Sequence, residues 1–294
     1  PQAMPVQPAA ASSSKGDEMR AIIAILEGPE RAKSAEPAPV PQNPPMPVEP
    51  KAPTKAPKKK QKPIELYYWP TPNGWKVSIM LEECGLPYTL KPVNIGMGDQ
   101  FKRGFLKIAP NNRMPAIVDP SGPGNKPISL FESGAILQYL GRKTGKFYPS
   151  NERARAEVDQ WLFWQMGGLG PMAGQAHHFR QYAQTKIPYA VKRYTNEVNR
   201  LYGVLNKQLR TQDFVAGRYS IADMAIWGWV VPYKNQGQKL EDFPHLKKWF
   251  ERMGDRPAVK RGFALGLDLR RGTLGDKTKD AEKARKILFN QRAK

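Results

Sequence analysis

The sequence predicts a two-part fold, an α/β layer over residues 63–148 followed by an all-helical bundle over 149–268, flanked by basic arms at 1–62 and 269–294. Three observations carry this reading. Between 63 and 148 short β-rich runs alternate with helical periodicities, whereas 151–262 holds several long helical patterns and no convincing strand. Thirteen of the 29 prolines fall in the first 62 residues, in runs such as "PAPVPQNPPMPVEPKAPTKAPKKKQKP" that can form neither a regular helix nor a central strand. That segment reads as an extended, polyproline-biased arm.

Each element follows from local pattern. In the arm, "DEMRAIIAILEGPERA" (17–32) puts Met19, Ile22, Ile23 and Leu26 on one face of a short helix stopped at Gly28-Pro29. "IELYYW" is a strand, 74–85 a helix, and "YTLKPVNI" (88–95) a second strand, with "GDQFKRGFLKIAP" (98–110) short and helical at most. "MPAIVD" (114–119) and "ISLF" (128–131) read as a strand pair joined by the turn-rich "PSGPGNKP", and "ESGAILQYLGRKTG" (132–145) as a helix ended by Gly145. Farther on, Val191, Tyr194, Val198, Leu201, Tyr202 and Leu205 form one apolar helical stripe, and "SIAD" (220–223) has capping-box spacing, which assigns Ser220 and Asp223 to structure. The chain closes with "DKTKDAEKARKILFNQ" (276–291), a charged helix with Ile287 and Leu288 on its apolar side.

Composition narrows the partners. The formal charge of +21 is spread over all three parts, with 10 Lys/Arg against 6 Asp/Glu in 1–62 and 9 against 3 in 269–294. Such a balance favours acidic partners, small anions, nucleic acid or a charged membrane surface, although a plain solvated surface explains it too. Cys84 is the single cysteine, so no intrachain disulfide can form and a reducing compartment is expected, cytoplasmic, mitochondrial or another organelle. No apolar run is long enough for a membrane span. His177-His178 and His245 lack the cysteine or carboxylate spacing of a zinc site, and no metal is expected.

The stretch "YYWPTPNGWKVSIMLEECG" (67–85) raises the chemical question. A strand stops at Pro70, a Thr-Pro-Asn-Gly turn follows, and a helix begins. Thr71 and Asn73 present a hydroxyl and an amide N–H beside unpaired backbone amides at a helix start, neutral donors suited to a sulfur anion. An ordinary thiol is mostly protonated at neutral pH, and each pKa unit of depression corresponds to about 1.4 kcal/mol of preferential thiolate stabilisation. Since the turn holds no cysteine, the reactive sulfur must arrive with a ligand. The plain alternative is that Thr71 only caps the helix. Glu132-Ser133 marks a second helix start able to hold an anion. Tyr67 and Tyr68 sit inside the strand and are assigned to packing, and Cys84 to the apolar face of the helix.

The order of the two halves, together with "TPNGWKVSIMLEE", "GDQFKRGFLKIAPNNRMPAIVD", "SLFESGAILQYL", "WLFWQMGGLGPM", "IPYAVKRY" and "YSIADMAIWGW", resembles the cytosolic glutathione transferases. The same strings closely resemble the nu-class bacterial glutathione transferases, glutathione-dependent disulfide reductases related to the globular domain of the yeast nitrogen-regulating prion protein. The resemblance spans about 63–265 and implies a thioredoxin-like first domain. It also implies a bound glutathione thiolate supported by Thr71 and Asn73, and a γ-glutamyl group held by Ser133 and Glu132. A cis Met114-Pro115 would turn the backbone of Met114 to the ligand, Gln100 would be a further glutathione contact, and Arg193 would reach the second glutathione across a homodimer interface. Each has a plainer reading: Ser133 as an N-cap, Pro115 as a trans residue opening a strand, Gln100 as a surface residue, Arg193 as a solvated charge. Trp161, Trp164, Met166 and Phe179 are candidates for the second-substrate pocket, although aromatic stripes at helical spacing are more often core.

The expected activity is reduction of a small disulfide, or addition to an electrophile, by the glutathione thiolate. The competing expectation is an accessory subunit of a larger assembly, organellar or translation-related, docked on protein or RNA through its basic arms.

Overall fold

The structure is a computed structural model that describes residues 62–269, 274 and 277–292; the helix expected over 17–32 and nearly all of the proline-rich arm lie outside the described residues. Strand β1 (Ile64–Tyr68) alternates buried and half-buried side chains, which is why its two faces serve different layers. It pairs in parallel with β2 (Tyr88–Pro92) and antiparallel with β3 (Ala116–Asp119), which pairs antiparallel with β4 (Ile128–Phe131), giving the order β2-β1-β3-β4. One face carries Ile64, Leu66 and Tyr68 into the main core; the other sets Tyr67 on a smaller cluster of Val93, Phe105, Ala109 and Ala116.

Helix α1 runs Pro72–Cys84, two residues earlier than the pattern suggested, because Thr71 caps it and Pro72 supplies a preset φ in its first turn. It ends at Gly85 in the left-handed conformation. The expected weak helix after β2 is a 3₁₀ turn at Asp99–Phe101 followed by α2 (Arg103–Leu106), and α3 (Ser133–Thr144) closes the layer at left-handed Gly145. The bundle comprises α4 (Glu152–Trp164), α5 (Gly170–His177), α6 (Pro188–Gln208), α7 (Ile221–Val230), α8 (Pro244–Asp255) and α9 (Pro257–Ala264). What reads in sequence as one helix from 152 onward is broken by a π turn at Gln165–Leu169, whose Gly167-Gly168 pair lowers helix propensity there.

The α7 capping box forms as expected. Ser220 Oγ accepts from the Ala222 amide, and the Asp223 carboxylate accepts from the Ser220 amide. Asp223 also takes the Val215 amide and the Trp249 indole N–H, so this buried side chain knits three segments. Burial pushes its carboxyl up to about 6, against the lowering effect of those hydrogen bonds.

Helix α1 packs against α9, α7 and α3, so it is enclosed on nearly every side. The C-terminal helix, α10 (Lys279–Phe289), is docked on the globular part. Ile287 approaches Gly98, the Phe289 ring meets His178 at 4.6 Å and Tyr182 at 5.8 Å, and Gln291 accepts from Arg113.

Candidate active site

The turn before α1 is shaped by two close approaches. A Cβ on Gly74 would collide with the Trp69 carbonyl oxygen, so only glycine lets the helix start this tightly against the strand end. A Cβ on Gly228 would lie 2.7 Å from the Pro72 carbonyl oxygen, and the missing side chain brings α7 onto the turn. The next residue on α7, Trp229, then donates its indole N–H to Asn73 Oδ1 at 2.9 Å.

That bond decides the orientation of Asn73. Its carbonyl oxygen is engaged, and among the described residues no group accepts from its N–H₂, which is therefore the end left to donate. Thr71 does cap the helix, its Oγ1 accepting from the Gly74 amide at 3.2 Å, yet its own proton is directed to Met114 Sδ at 3.7 Å. Capping and a second role coexist in one hydroxyl. The Met114-Pro115 bond is cis. The fold thus brings Thr71, Asn73 and Met114 together from two segments about forty residues apart in sequence, as the contact between Thr71 and Met114 shows.

At the second helix start, Glu132 is the N-cap residue and makes no side-chain cap bond; its φ of 68° is left-handed, a strained conformation for a residue with a Cβ. Ser133 is therefore the first helical residue, and its hydroxyl is not used as a cap. It lies within reach of the Lys76 ammonium at 3.5 Å and of Met166 Sδ at 3.8 Å. Glu132 accepts from Asn111 Nδ2 at 3.4 Å.

Gln100 differs from the surface position its composition suggests. It is 1 % exposed, with Nε2 donating to the Ile95 carbonyl and Oε1 buried without a hydrogen-bond partner. Arg193 lies on α6, exposed and 3.6 Å from Glu197, so within one chain it is a surface ion pair apart from the turn. Met166 contacts Lys76, Ser133 and Gly134 at the boundary of the two halves, while Trp161 and Trp164 pack edge to face and Phe179 stacks on Tyr194. Tyr68 is buried and donates to the Leu265 carbonyl, and its phenol is raised by burial, which fits packing. Cys84 is buried beside Met80 and Thr144, with its thiol raised by burial. Among the described residues no group of three or more His, Cys, Asp or Glu side chains is placed to hold a metal ion, and no helix is long and apolar enough to cross a membrane.

Residues 71–143 match the glutathione S-transferase N-terminal domain family and residues 176–257 the C-terminal domain family. The chain belongs to the glutathione S-transferase family. It is 50% identical over 220 residues to the disulfide-bond oxidoreductase YfcG of Escherichia coli, an alignment covering 74% of this chain and all of the relative. A glutathione transferase family member from Pseudomonas fluorescens, solved with two glutathione molecules bound, superimposes with a TM-score of 0.67 at 45% identity, covering 70% of this chain and 95% of the other. Ure2p in complex with glutathione gives a TM-score of 0.64 at 32% identity, with 70% and 95% covered. The family assignment accounts for the two-part fold read from the sequence.

Two residues against this site escaped sequence reasoning. Trp229 stands 156 positions from Asn73, and only the docking of α7 joins them. Lys76 is 1 % exposed inside α1, a position for which a lysine is uncommon. The run Val77-Ser78-Ile79-Met80-Leu81 after it, apolar apart from Ser78, could have signalled a helix buried all round.

Proposed function

We infer that this chain is a glutathione-dependent disulfide-bond reductase and transferase in which the thiolate of bound glutathione is the nucleophile. The observation that carries the reading is the Trp229 to Asn73 bond: it leaves the carboxamide N–H₂ as a fixed neutral donor beside the Thr71 hydroxyl and the cis Met114-Pro115 segment, in a turn that has no cysteine. The relatives named as a disulfide-bond oxidoreductase or solved with glutathione support it.

The chemistry is thiol-disulfide exchange. The glutathione thiolate attacks one sulfur of a disulfide, forming a mixed disulfide and expelling the other sulfur as a thiolate, which takes up a proton. A second glutathione thiolate then attacks the glutathione sulfur of the mixed disulfide, giving oxidised glutathione and the second reduced thiol. Asn73 and Thr71 favour the charged form of the attacking sulfur through donors already in place. Backbone groups of Met114 pair with the cysteinyl segment as an added strand would. Ser133 and Glu132 hold the γ-glutamyl carboxylate and amine, and Gln100 supports the neighbouring loop from within.

Homodimer formation belongs to the same reading. Tyr189 and Phe163 are large exposed apolar residues, and Arg193 lies one helical turn beyond Tyr189 on α6, an arrangement suited to a partner subunit's surface. Steady-state reduction of a small dialkyl disulfide by glutathione, read as oxidised glutathione formed, tests the activity. Turnover no faster than the uncatalysed exchange would sink the reading and leave a recruited, non-catalytic subunit.

A further inference from the structure

Lys76 is a buried cation without a counter-ion. Its Nζ donates to Gln165 Oε1 at 2.6 Å and lies 3.5 Å from both Ser133 Oγ and Met166 Sδ, all uncharged groups. Among the described residues it takes part in no ion pair. Burying an ammonium without a paired anion is costly, and such a group either loses its proton or recruits a negative charge. The group next to it is Ser133, in the first turn of α3, a helix of twelve residues whose N-terminal amides favour an anion. A second orphan lies in the same cluster: Gln165 Nε2 is buried with no hydrogen-bond partner.

We propose that Lys76 is the cationic half of the γ-glutamyl carboxylate subsite, its missing counter-charge supplied through the Ser133 hydroxyl by the bound ligand, so that glutathione binding takes up a proton. This rests on the glutathione reading of the site and extends it to a residue on the far side of Ser133. Burial draws the Lys76 ammonium down to about 7, with the Glu132 carboxylate opposing, so near neutrality the side chain is poised between its two forms. A carboxylate at Ser133 adds a second opposing charge and favours the protonated form.

The surrounding elements supply no competing charge at Nζ besides Glu132. From the π turn come Gln165 and Met166, and from α3 Ser133. On α7 the titratable residue is Asp223, engaged with Ser220, Val215 and Trp249. On α9 Arg261 pairs with Glu82 and Lys260 with Asp255, while Arg256 pairs with Glu83.

The test is isothermal titration of the full chain with S-methylglutathione, whose blocked thiol releases no proton, in buffers of different ionisation enthalpy. The expected result is net proton uptake, about half a proton at pH 7, and an affinity that falls about ten-fold from pH 6 to pH 8. Lys76→Met is expected to abolish the uptake and flatten the pH dependence; the ligand's own amine contributes equally to both proteins and cancels in the difference. Binding with no uptake, or with proton release, in the wild-type chain overturns this inference alone, whether or not the variant folds. Failure of S-methylglutathione to bind at all overturns it together with the glutathione reading.

Discussion

Helices α1 and α7 both begin with a hydroxyl that accepts a first-turn amide, yet the two starts behave differently. At α7 the polar groups close on protein: Ser220 and Asp223 answer each other, and Asp223 further takes the Val215 amide and the Trp249 indole. At α1 the pattern stays open, since Thr71 keeps a proton aimed at Met114 and Asn73 keeps an N–H₂ with its oxygen held by Trp229. On the glutathione reading proposed above, the start that serves the ligand is the one that leaves oriented donors over. Similar capping hydroxyls thus differ in what they leave unpaired.

Asn73→Ala removes the oriented donor and is expected to lower kcat for disulfide reduction by about 10²–10³-fold, with circular dichroism and thermal unfolding little changed. Asp223→Ala should do the reverse, costing about 2–4 kcal/mol of unfolding free energy by chemical denaturation because several buried donors lose their acceptor. Activity per folded molecule should survive. If Asn73→Ala unfolds the protein or Asp223→Ala spares it, the distinction fails.

Trp229→Phe keeps the ring and deletes the N–H that fixes the carboxamide. We expect a loss of about ten-fold in kcat, roughly 1.4 kcal/mol, with the acid limb of the pH-rate profile moved to higher pH as the thiolate loses support. A purely structural tryptophan would leave that limb in place. The smallest effect is a slope. Lys76 has a lowered folded-state pKa, so the unfolded chain binds its proton more readily; stability from this group rises with pH between about 7 and its ordinary value near 10.5 and is lost as pH falls through that window. Lys76→Met should flatten this slope of unfolding free energy against pH, measured by chemical denaturation, which for one proton cannot exceed about 1.4 kcal/mol per pH unit.

Much of this was legible in the sequence because it is local. The strands of the first layer, the Gly145 stop and the Ser220 to Asp223 box each depend on a few neighbouring residues, as does the placing of Thr71 and Asn73 after a strand end. The α7 contact was not local: nothing in "IADMAIWGWV" says that Trp229 faces a turn far back in the chain. Lys76, and the burial of Gln100, were missed for a related reason, since polarity alone argues for exposure and only packing on every side overrules it. Helix α10 was readable as a helix, but its seat depends on Phe289 finding the His178 and Tyr182 rings.

The near contact between Gly228 and the Pro72 carbonyl implies that the two halves are not interchangeable modules. A chimera grafting this chain's first 148 residues onto another family member's helices would inherit the whole turn and still misaim it, unless the graft also carried a residue without a side chain at that crossing and an indole immediately after. The unit that must travel together is the crossing itself.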